Sequence, residues 1–410
     1  MGLTMSERKA VSRQVATRYR RADRAQKRVI LDELCATTGW HRDHGRKALR
    51  QALTPKVVRP RRPRPPIYGE DVIVALRFCW AVLGAPAGKR LAPFLPELVA
   101  RLRACGELDI DEVSAAALCR MSAATIDRRL AADRGKLLPR GRSHTKPGSL
   151  LKDAIPIRTW AEWDDAVPGF VEIDLVGHEG GNSSGDFCST LTVTDIALGW
   201  TENRTVRNKA QRWVFAALTG ISVEFPFPIR GIDSDNGSEF INNHLLRYCE
   251  TNQITFTRSR PGNKNDGAHV EQKNWAVVRQ VAGYHRYDTE AELELLNRIW
   301  AAQGLLTNFF YPQQKLVSKV RHGAKVIKKY DRAQTPYQRA IQHPTITKKA
   351  KDALTRAYAK INPAAVQREI QALTAELLVL TTAKAAARAK PTLPKRASGS
   401  EATTRAIRAS

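Results

Sequence analysis

The pattern of apolar and polar residues changes near residue 150 of the chain. Before that point apolar residues recur at helical spacing, as in Val29 to Leu34. After it, short runs of β-branched and apolar residues bounded by Gly and Asn predict strands. From residue 168 onward the predicted order is three strands, helix, strand, helix, strand and helix. This order indicates a mixed α/β domain.

The predicted elements of this domain belong to defined segments of the sequence. The strands lie within "GFVEIDLVGH", "DFCSTLTVTDIALGWTENRTV", "PIRGIDSD" and "ITFTR". The helices lie within "NKAQRWVFAALTGI", "SEFINNHLLRYCETN", which starts at Ser238, and "AHVEQKNWAVVRQVAGY" (Ala268 to Tyr284). The Pro- and Gly-containing loop "SRPGNKNDG" separates the last strand from the last helix.

A segment near the N-terminus, Arg28 to Leu53, has the pattern of a helix-turn-helix. A helical run is followed by Thr37 to Gly39, which supplies the sharp turn of such motifs. The next helix carries side chains suited to phosphates and to base edges in the major groove. These side chains are His41, Arg42, Arg46, Lys47 and Arg50.

A second segment, Leu118 to Lys136, has a similar pattern, with Ser122 as the predicted N-cap. Its cationic residues are Arg128, Arg129 and Arg134. Short helix pairs are common in globular proteins, so either pattern alone is weak evidence for DNA binding. Two of them in one strongly basic chain are better evidence.

The charge of the chain supports this interpretation. It contains 67 Lys and Arg against 40 Asp and Glu, a formal net charge of +27. Such an excess predicts a polyanionic partner, because Lys and Arg displace the counterions condensed on phosphate backbones. A merely solvated basic surface is the alternative. Near Lys56 to Gly69, closely spaced prolines and arginines predict an extended linker.

Several classes of protein do not fit the sequence. The most apolar stretch, Val72 to Ala85, contains Arg77 and is too short to span a bilayer, and no apolar secretory segment begins the chain. The 6 cysteines lack CxxC spacing, as expected of reduced thiols in the cytosol. His41 and His44 could begin a zinc site, but no paired cysteines follow at a suitable distance.

Three carboxylates are placed where chemistry is expected. Asp235 follows a predicted strand at its carboxyl end, where open α/β sheets bind ligands, and Asn236-Gly237 permits the positive φ of a tight turn. Asp174 lies in an otherwise apolar strand, which is costly unless it is paired or bound to a metal. Glu271 lies on a helix after a flexible loop. Taken singly, these residues could be an ordinary turn, a salt-bridged strand residue and a solvated helix residue.

The three acids and their surroundings resemble the catalytic core of bacterial insertion-sequence transposases, in the superfamily of DDE transposases and retroviral integrases. The similarity covers roughly Pro168 to Tyr337 and includes "VEIDLVGHEGG", "GIDSDNGSEFINN" and "HVEQKNW". It implies a ribonuclease-H-like fold. It also implies that Asp174, Asp235 and Glu271 are the catalytic acids.

The chemistry of such a reaction requires several carboxylates. In-line attack on a phosphodiester develops charge on the entering and leaving oxygens, and two divalent ions stabilise both. Hard oxygen ligands suit Mg²⁺ or Mn²⁺, and without a cation the three acids would raise one another's pKa. We therefore expect two Mg²⁺ or Mn²⁺ ions held by these acids. Glu172 and Asp233, two residues from the matched positions, are the alternative ligands and fit the motif less well.

The resemblance also implies the partners. We expect a cytoplasmic, nucleoid-associated bacterial protein that binds double-stranded DNA at transposon ends and at a target, and acts as a homo-oligomer on DNA without a membrane. Cations near the acids would contact phosphates; these are Arg258, Arg260, Lys264, Lys273 and Arg279. A nuclease that cuts without joining, and a DNA-binding protein without activity, remain open alternatives.

The chain divides into six predicted regions. They are a basic helix-turn-helix region with its linker (1–66), a second helical DNA-binding region (67–150), the catalytic core (151–290), an extension of the core (291–345), a helical segment (346–383) and a basic disordered tail (384–410). In the helical segment, apolar residues follow a 4-3-4-3 spacing that fits either a dimer seam or packing against the same chain. They are Val366, Ile370, Leu373, Leu377 and Leu380.

Overall fold

The computed structural model describes residues 3–54, 67–135, 167–235, 237, 239–240, 243–258 and 268–388. The chain forms two compact units, Met1–Ile67 and Tyr68–Ser410. Among the described helices, none combines the length and the apolar character needed to cross a bilayer.

The described residues of the first unit form three helices, α1 (Met5–Arg21), α2 (Arg24–Thr38) and α3 (Arg42–Ala52). They pack around a small core of Ala16, Leu31, Leu34 and Leu49. Gly39 ends α2 with φ 69°, which a residue with a side chain rarely adopts. The predicted helix, turn and helix are therefore present in the backbone, and their binding of DNA stays a prediction.

Between residues 68 and 135, the part of the second unit that is described before the sheet, there are six helices. They are α4 (Glu70–Val82), α5 (Gly88–Leu91), α6 (Leu95–Ala104), α7 (Glu112–Cys119), α8 (Ala123–Arg129) and α9 (Ala131–Gly135). The predicted N-cap is confirmed, since the Ser122 hydroxyl accepts a hydrogen bond from the Thr125 N–H. Apolar residues of α4 to α8 share one continuous core with the sheet that follows.

A five-stranded sheet forms the centre of the second unit. Its strands are β1 (Phe170–Gly177), β2 (Ser189–Asp195), β3 (Thr201–Val206), β4 (Gly231–Ser234) and β5 (Thr255–Arg258). The strand order is β3-β2-β1-β4-β5, with antiparallel pairing among β1, β2 and β3, and parallel pairing of β4 with β1 and β5. Two helices, α10 (Gln211–Glu224) and α11 (Asn243–Thr251), connect β3, β4 and β5. The predicted mixed α/β, ribonuclease-H-like fold is confirmed.

Two helix predictions need correction. The helix expected from Ser238 begins instead at Asn243, after a turn at Glu239 and Phe240. The helix expected from Ala268 to Tyr284 is present but not regular. It consists of α12 (Ala268–Lys273), a π turn (Asn274–Arg279) and α13 (Gln280–Ala282). Apolar spacing cannot reveal one extra residue within a helical turn, so the sequence predicted an ordinary helix.

The remaining elements complete the second unit. They are α14 (Glu290–Phe309), β6 (Leu316–His322), β7 (Lys325–Tyr330), α15 (Pro336–Gln342), α16 (Lys348–Lys360) and α17 (Pro363–Arg388). Strands β6 and β7 form a separate antiparallel hairpin. The sequence had predicted no strands in this part of the chain, because its apolar and cationic residues do not alternate cleanly.

Of the two alternatives predicted for the apolar seam, packing against the same chain is confirmed, whereas the predicted start of the tail is corrected. Ile370, Leu373 and Leu377 are buried within the chain, and α17 packs along α14, so the apolar seam is not a free dimer surface. Helix α17 also continues to Arg388, past the predicted start of the disordered tail at residue 384. Lys384 lies on this helix, and its ammonium group binds the carboxylates of Asp288 and Glu292. Residues 389–410 lie outside the described residues.

Candidate functional site

Two of the predicted acids lie on neighbouring parallel strands, Asp174 within β1 and Asp235 directly after the end of β4. The register of β1 and β4 pairs Glu172 with Asp233 and Ile173 with Ser234. Asp174 and Asp235 each come next along their strands, so the pairing places them side by side. Adjacent strands are about 4.8 Å apart. The sheet itself therefore brings these two carboxylates together.

Asp174 lies in a strongly electronegative setting. The pKa of its carboxyl is raised to about 7, mainly by burial and also by the negative charges of Asp235, Glu271 and Glu239. The hydrogen bond from the Leu175 N–H opposes this increase. One carboxylate oxygen accepts a hydrogen bond from the Leu175 N–H at 2.8 Å. Two of the predicted acids, Asp235 and Glu271, thus act electrostatically on the third, as expected of a shared cation site.

Asp235 lies in the turn that follows β4. Surrounding protein displaces water and raises the pKa of its carboxyl, while the N–H of Gly237 donates to Oδ1 at 2.9 Å and lowers it. A side chain in place of Gly237 would meet the ends of the Glu239 and Asp235 side chains, because a Cβ would lie 2.7 Å from the Glu239 carboxyl carbon and 2.9 Å from the Asp235 Oδ1.

Glu271 is exposed on α12, and a buried acid holds the start of that helix. The Glu172 carboxylate accepts hydrogen bonds from the N–H groups of His269 and Val270, at 2.9 and 3.0 Å. A carboxylate is favourable at the start of a helix, where N–H groups lack partners. Glu172 therefore fixes the position of the helix that carries Glu271.

Asp233, the other alternative ligand, is also buried. Its Oδ1 accepts a hydrogen bond of 2.6 Å from the Thr257 hydroxyl on β5. Both alternative acids thus have structural contacts inside the sheet region. The acids with the clearest access to a ligand are the three at the matched positions.

The sequence reasoning missed Asn274, the first residue of the π turn. Its Nδ2 donates to Asp174 Oδ2 at 2.6 Å. Its Oδ1 is buried and has no hydrogen-bond partner among the described residues. A buried amide oxygen without a partner is costly, so a ligand beside Asp174 would complete its hydrogen bonding or coordination. The sequence offered no signal for this role beyond the spacing of three residues from Glu271.

The donors fit a divalent cation, although they are not gathered around one point. Within the described ranges, no three His, Cys, Asp or Glu side chains stand close enough together to hold an ion as they are. The available groups are hard oxygens, namely three carboxylates that repel one another and the Asn274 amide oxygen. Such oxygens suit Mg²⁺ or Mn²⁺, whose charge would offset the repulsion.

The predicted cations around the acids differ in accessibility. The Arg279 guanidinium is buried, donates to the carbonyls of Gly177 and Gly283, and lies over the Tyr284 ring. The prediction that Arg279 contacts DNA is therefore contradicted, since its donors serve the fold. Arg258 ends β5, in agreement with the predicted strand, and its side chain is also buried. Arg260 and Lys264 lie outside the described residues.

Lys273 lies half-buried on α12, two residues from Glu271. The pKa of its ammonium is lowered to about 7, mainly by burial and also by the positive charge of Arg90. Arg90 is an exposed residue of α5 that the sequence had not singled out. A phosphate group bound by these two cations would stabilise the charged form of Lys273.

The predicted DNA-binding helices present most of their cations to solvent. On α3, Gly45 and Leu49 face the core, whereas the opposite side is exposed. Arg42 is paired with Asp32, and Arg46 forms an ion pair of 3.1 Å with Asp43. The exposed cations of α3 and α8 are Arg46, Lys47, Arg50, Arg128 and Arg129.

The sequence of the chain is similar to those of known proteins. The family model of the integrase core domain matches residues 164–264, a range that includes Asp174 and Asp235 and stops before Glu271. An uncharacterized protein of Sinorhizobium fredii, y4rM, is 39% identical over 337 residues, which cover 80% of this chain and 93% of that protein.

Two solved structures show more distant similarity. The catalytic core domain of BIV integrase is 15% identical and covers 42% of this chain and 91% of its own, with a TM-score of 0.29. The catalytic core domain of HTLV-2 integrase, solved with magnesium in a dimeric form, is 12% identical, with a TM-score of 0.28. The match covers 37% of this chain and 93% of that domain. Superpositions this weak support no comparison of individual residues.

Proposed function

We propose that this chain, which belongs to the superfamily of DDE transposases and retroviral integrases and to the same family as the S. fredii protein, is a DNA transposase. It would cleave DNA at the ends of a mobile element and join the freed 3′-hydroxyls to target DNA. The observation that carries this proposal is the strand register that sets Asp174 of β1 beside Asp235 after β4, with Asp235 and Glu271 both acting electrostatically on the Asp174 carboxylate. Coupled acids of this kind are what cleavage and joining of a phosphodiester require.

The residues of the site would have distinct roles. Asp174, Asp235 and Glu271 would hold two Mg²⁺ or Mn²⁺ ions, which supply Lewis-acid stabilisation of the entering and leaving oxygens. Asn274 orients the Asp174 carboxylate, and Glu172 holds the helix of Glu271 in place. The sheet register sets the spacing of the first two acids before any DNA is bound.

Electrostatic steering would complete the site. Lys273 and Arg90 would bind a backbone phosphate of the DNA, and binding would restore the full charge of Lys273. In the first unit, α3 would recognise the element's ends, and the exposed cations of α8 would add contacts to the backbone. Because two ends must be joined at one target, the active species would be a homo-oligomer assembled on DNA.

A strand-transfer assay tests the proposal. The purified full chain would be incubated with labelled duplexes of its element's terminal sequence, a supercoiled plasmid and Mg²⁺. We expect labelled DNA to become covalently joined to the plasmid, and no product with EDTA. Cleavage of the duplexes without joined product would instead identify a nuclease, and binding without cleavage would identify an inactive DNA-binding protein.

Replacement of Asn274 by Ala is expected to lower the rate of strand transfer about 10- to 100-fold, the usual cost of losing a group that orients a metal ligand. The reason is that Asp174 loses its 2.6 Å hydrogen bond and can rotate. The rate would be measured over a range of Mg²⁺ concentrations, and the variant should require more Mg²⁺. Gln280→Ala, at an exposed position on the same helical segment, is the control. An unchanged rate and Mg²⁺ requirement would rule out this role.

Replacement of both Arg46 and Lys47 by Ala is expected to weaken binding to terminal duplexes more than binding to random duplexes. Both side chains are exposed on α3, where long cationic groups reach bases and phosphates. A lost base contact costs about 1–3 kcal/mol of discrimination. Competition binding with the full chain measures the ratio of the two affinities. If the ratio stays at its wild-type value, α3 does not recognise the ends.

A further inference from the structure

The hairpin of β6 and β7 projects from the second unit without a covering surface. Every residue of these two strands is exposed apart from the half-buried Val326. Among the described residues, none makes a hydrogen bond or an ion pair with a side chain of either strand. A two-stranded hairpin alone is marginally stable in water. Its bare faces therefore indicate that a partner covers it when the protein works.

The base of the hairpin, in contrast, is firmly attached. The Asp331 carboxylate accepts hydrogen bonds from the Lys315 N–H and from the Arg339 guanidinium, both at 2.7 Å. Arg339 also donates to the Gln313 carbonyl, and the Lys315 ammonium donates to the Ala197 carbonyl at 2.6 Å. The protein thus holds the start of the arm in a fixed position and leaves its strands open to a partner.

The charge of the arm identifies the class of partner. The register pairs Lys319 directly with Lys328, and like charges opposite each other destabilise a strand pair. Arg321, Lys325 and Lys329 add positive charge, and the sequence has no acidic residue between 315 and 330. Only an anionic partner would relieve this repulsion.

The apolar residues of the arm narrow the choice further. On the face opposite to Lys319, Val320 is paired with Ile327, and the two side chains are 47% and 48% exposed. A polymer that offers phosphates to the cations and apolar atoms to this pair would satisfy both faces. Duplex DNA does so, through its backbone and through the thymine methyl groups in the major groove.

We propose that the hairpin arm, Leu316 to Tyr330, lies in the major groove of duplex DNA bound by the second unit. The groove is wide enough for a two-stranded β-ribbon. The inference rests on the proposed function, which makes DNA the substrate, but it concerns a surface distinct from the three acids. Binding by the arm needs no metal ion, so it can be measured without catalysis.

The test uses the full chain, a short duplex of mixed sequence and EDTA, with fluorescence anisotropy over about 50–200 mM salt. Lys319→Gln combined with Lys328→Gln should reduce the slope of log affinity against log salt by about 1.8, or 0.9 for each lost phosphate contact. Affinity at a fixed salt concentration should fall about tenfold. Lys348→Gln combined with Lys349→Gln, at exposed positions on α16, removes the same charge elsewhere and should leave the slope unchanged.

A second variant separates binding from folding. Lys319→Glu places a carboxylate opposite Lys328, so it should stabilise the strand pair while it repels DNA. We expect DNA affinity to fall at least as far as in the double Gln variant, with no loss of thermal stability.

Wild-type slopes in both arm variants would overturn the proposal. So would loss of self-association with unchanged DNA binding, because the arm would then contact another copy. If the arm variants reduce the slope of log affinity against log salt but the wild-type protein does not join DNA, the proposal for the arm is supported and only the transposase proposal is rejected.

Discussion

Asp174→Asn, Asp235→Asn and Glu271→Gln are each expected to lower the rate of strand transfer by about 10³-fold or more, because each would remove one of the proposed metal ligands, and such a ligand contributes several kcal/mol to the transition state. DNA binding without divalent ions should stay close to wild type, since the charge lost is negative. Initial rates in Mg²⁺ and binding in EDTA give the two quantities. Glu369→Gln, an exposed acid on α17, is the matched control.

The same variants reveal whether a loss of activity comes from misfolding. The folded protein raises the pKa of Asp174 to about 7, above the value of 3.8 for an unperturbed carboxyl. Ionised Asp174 therefore lowers the stability of the metal-free fold increasingly as the pH rises from about 4 to 7. Asp174→Asn should melt at a higher temperature than wild type at pH 8, and this gain should vanish below about pH 4. Near-normal strand transfer by any of the three variants would remove that residue from the site.

Lys384→Met is expected to destabilise the second unit by about 3–5 kcal/mol, the usual cost of leaving a buried charge without its partner. The Lys384 ammonium binds both carboxylate oxygens of Glu292, at 2.6 and 2.8 Å, and Asp288 at 2.9 Å. Glu292 is 1% exposed, and without Lys384 its charge would remain in the core between α14 and α17. Denaturant unfolding measures the effect. Lys360→Met, exposed on α16, should change stability by less than about 0.5 kcal/mol.

The pH dependence identifies the cause of this loss. Burial alone would raise the pKa of Glu292, but the hydrogen bonds from Lys384 and from the Asp288 N–H and Thr289 hydroxyl hold it below the usual 4.5. A lowered carboxyl pKa contributes stability above the unfolded value and loses it as the pH falls through the folded value. The difference between wild type and Lys384→Met should therefore shrink below about pH 4.5. A constant difference, or one under about 1 kcal/mol, would show that the ion pair does not hold α17 in place.

The sequence predicted those features that depend on local pattern. The five strands, the Ser122 cap and the end of α2 at Gly39 all follow from residue types and spacing over a few positions. The placement of Asp174 beside Asp235 was also accessible, because both acids belong to predicted strands of one sheet. For these features the local preference and the tertiary structure agree.

Features that depend on tertiary contacts could not be predicted in the same way. A buried Arg279 and an exposed one have the same sequence signature, and only the carbonyls of Gly177 and Gly283 distinguish them. Lys384 was assigned to a tail because its carboxylate partners lie about ninety residues away in the chain. The hairpin arm escaped notice for another reason: its strands have no buried face, so the alternation that signals a strand is absent.

The π turn after Glu271 determines which sides of one helix face the acids and the core. In a regular α-helix each residue advances by about 100°, so Val278, seven residues beyond Glu271, would return to nearly the same side. A π turn contains about one residue more than an α turn. The residues after it are therefore rotated by about 100° relative to their positions in a regular α-helix. Val278, which is 0% exposed, can thus enter the core while Glu271 remains at the surface. One helical segment can therefore present Glu271 to the candidate site and Val278 to the core, which a regular α-helix could not do. The orientation of Glu271 is thus coupled to the packing of the interior.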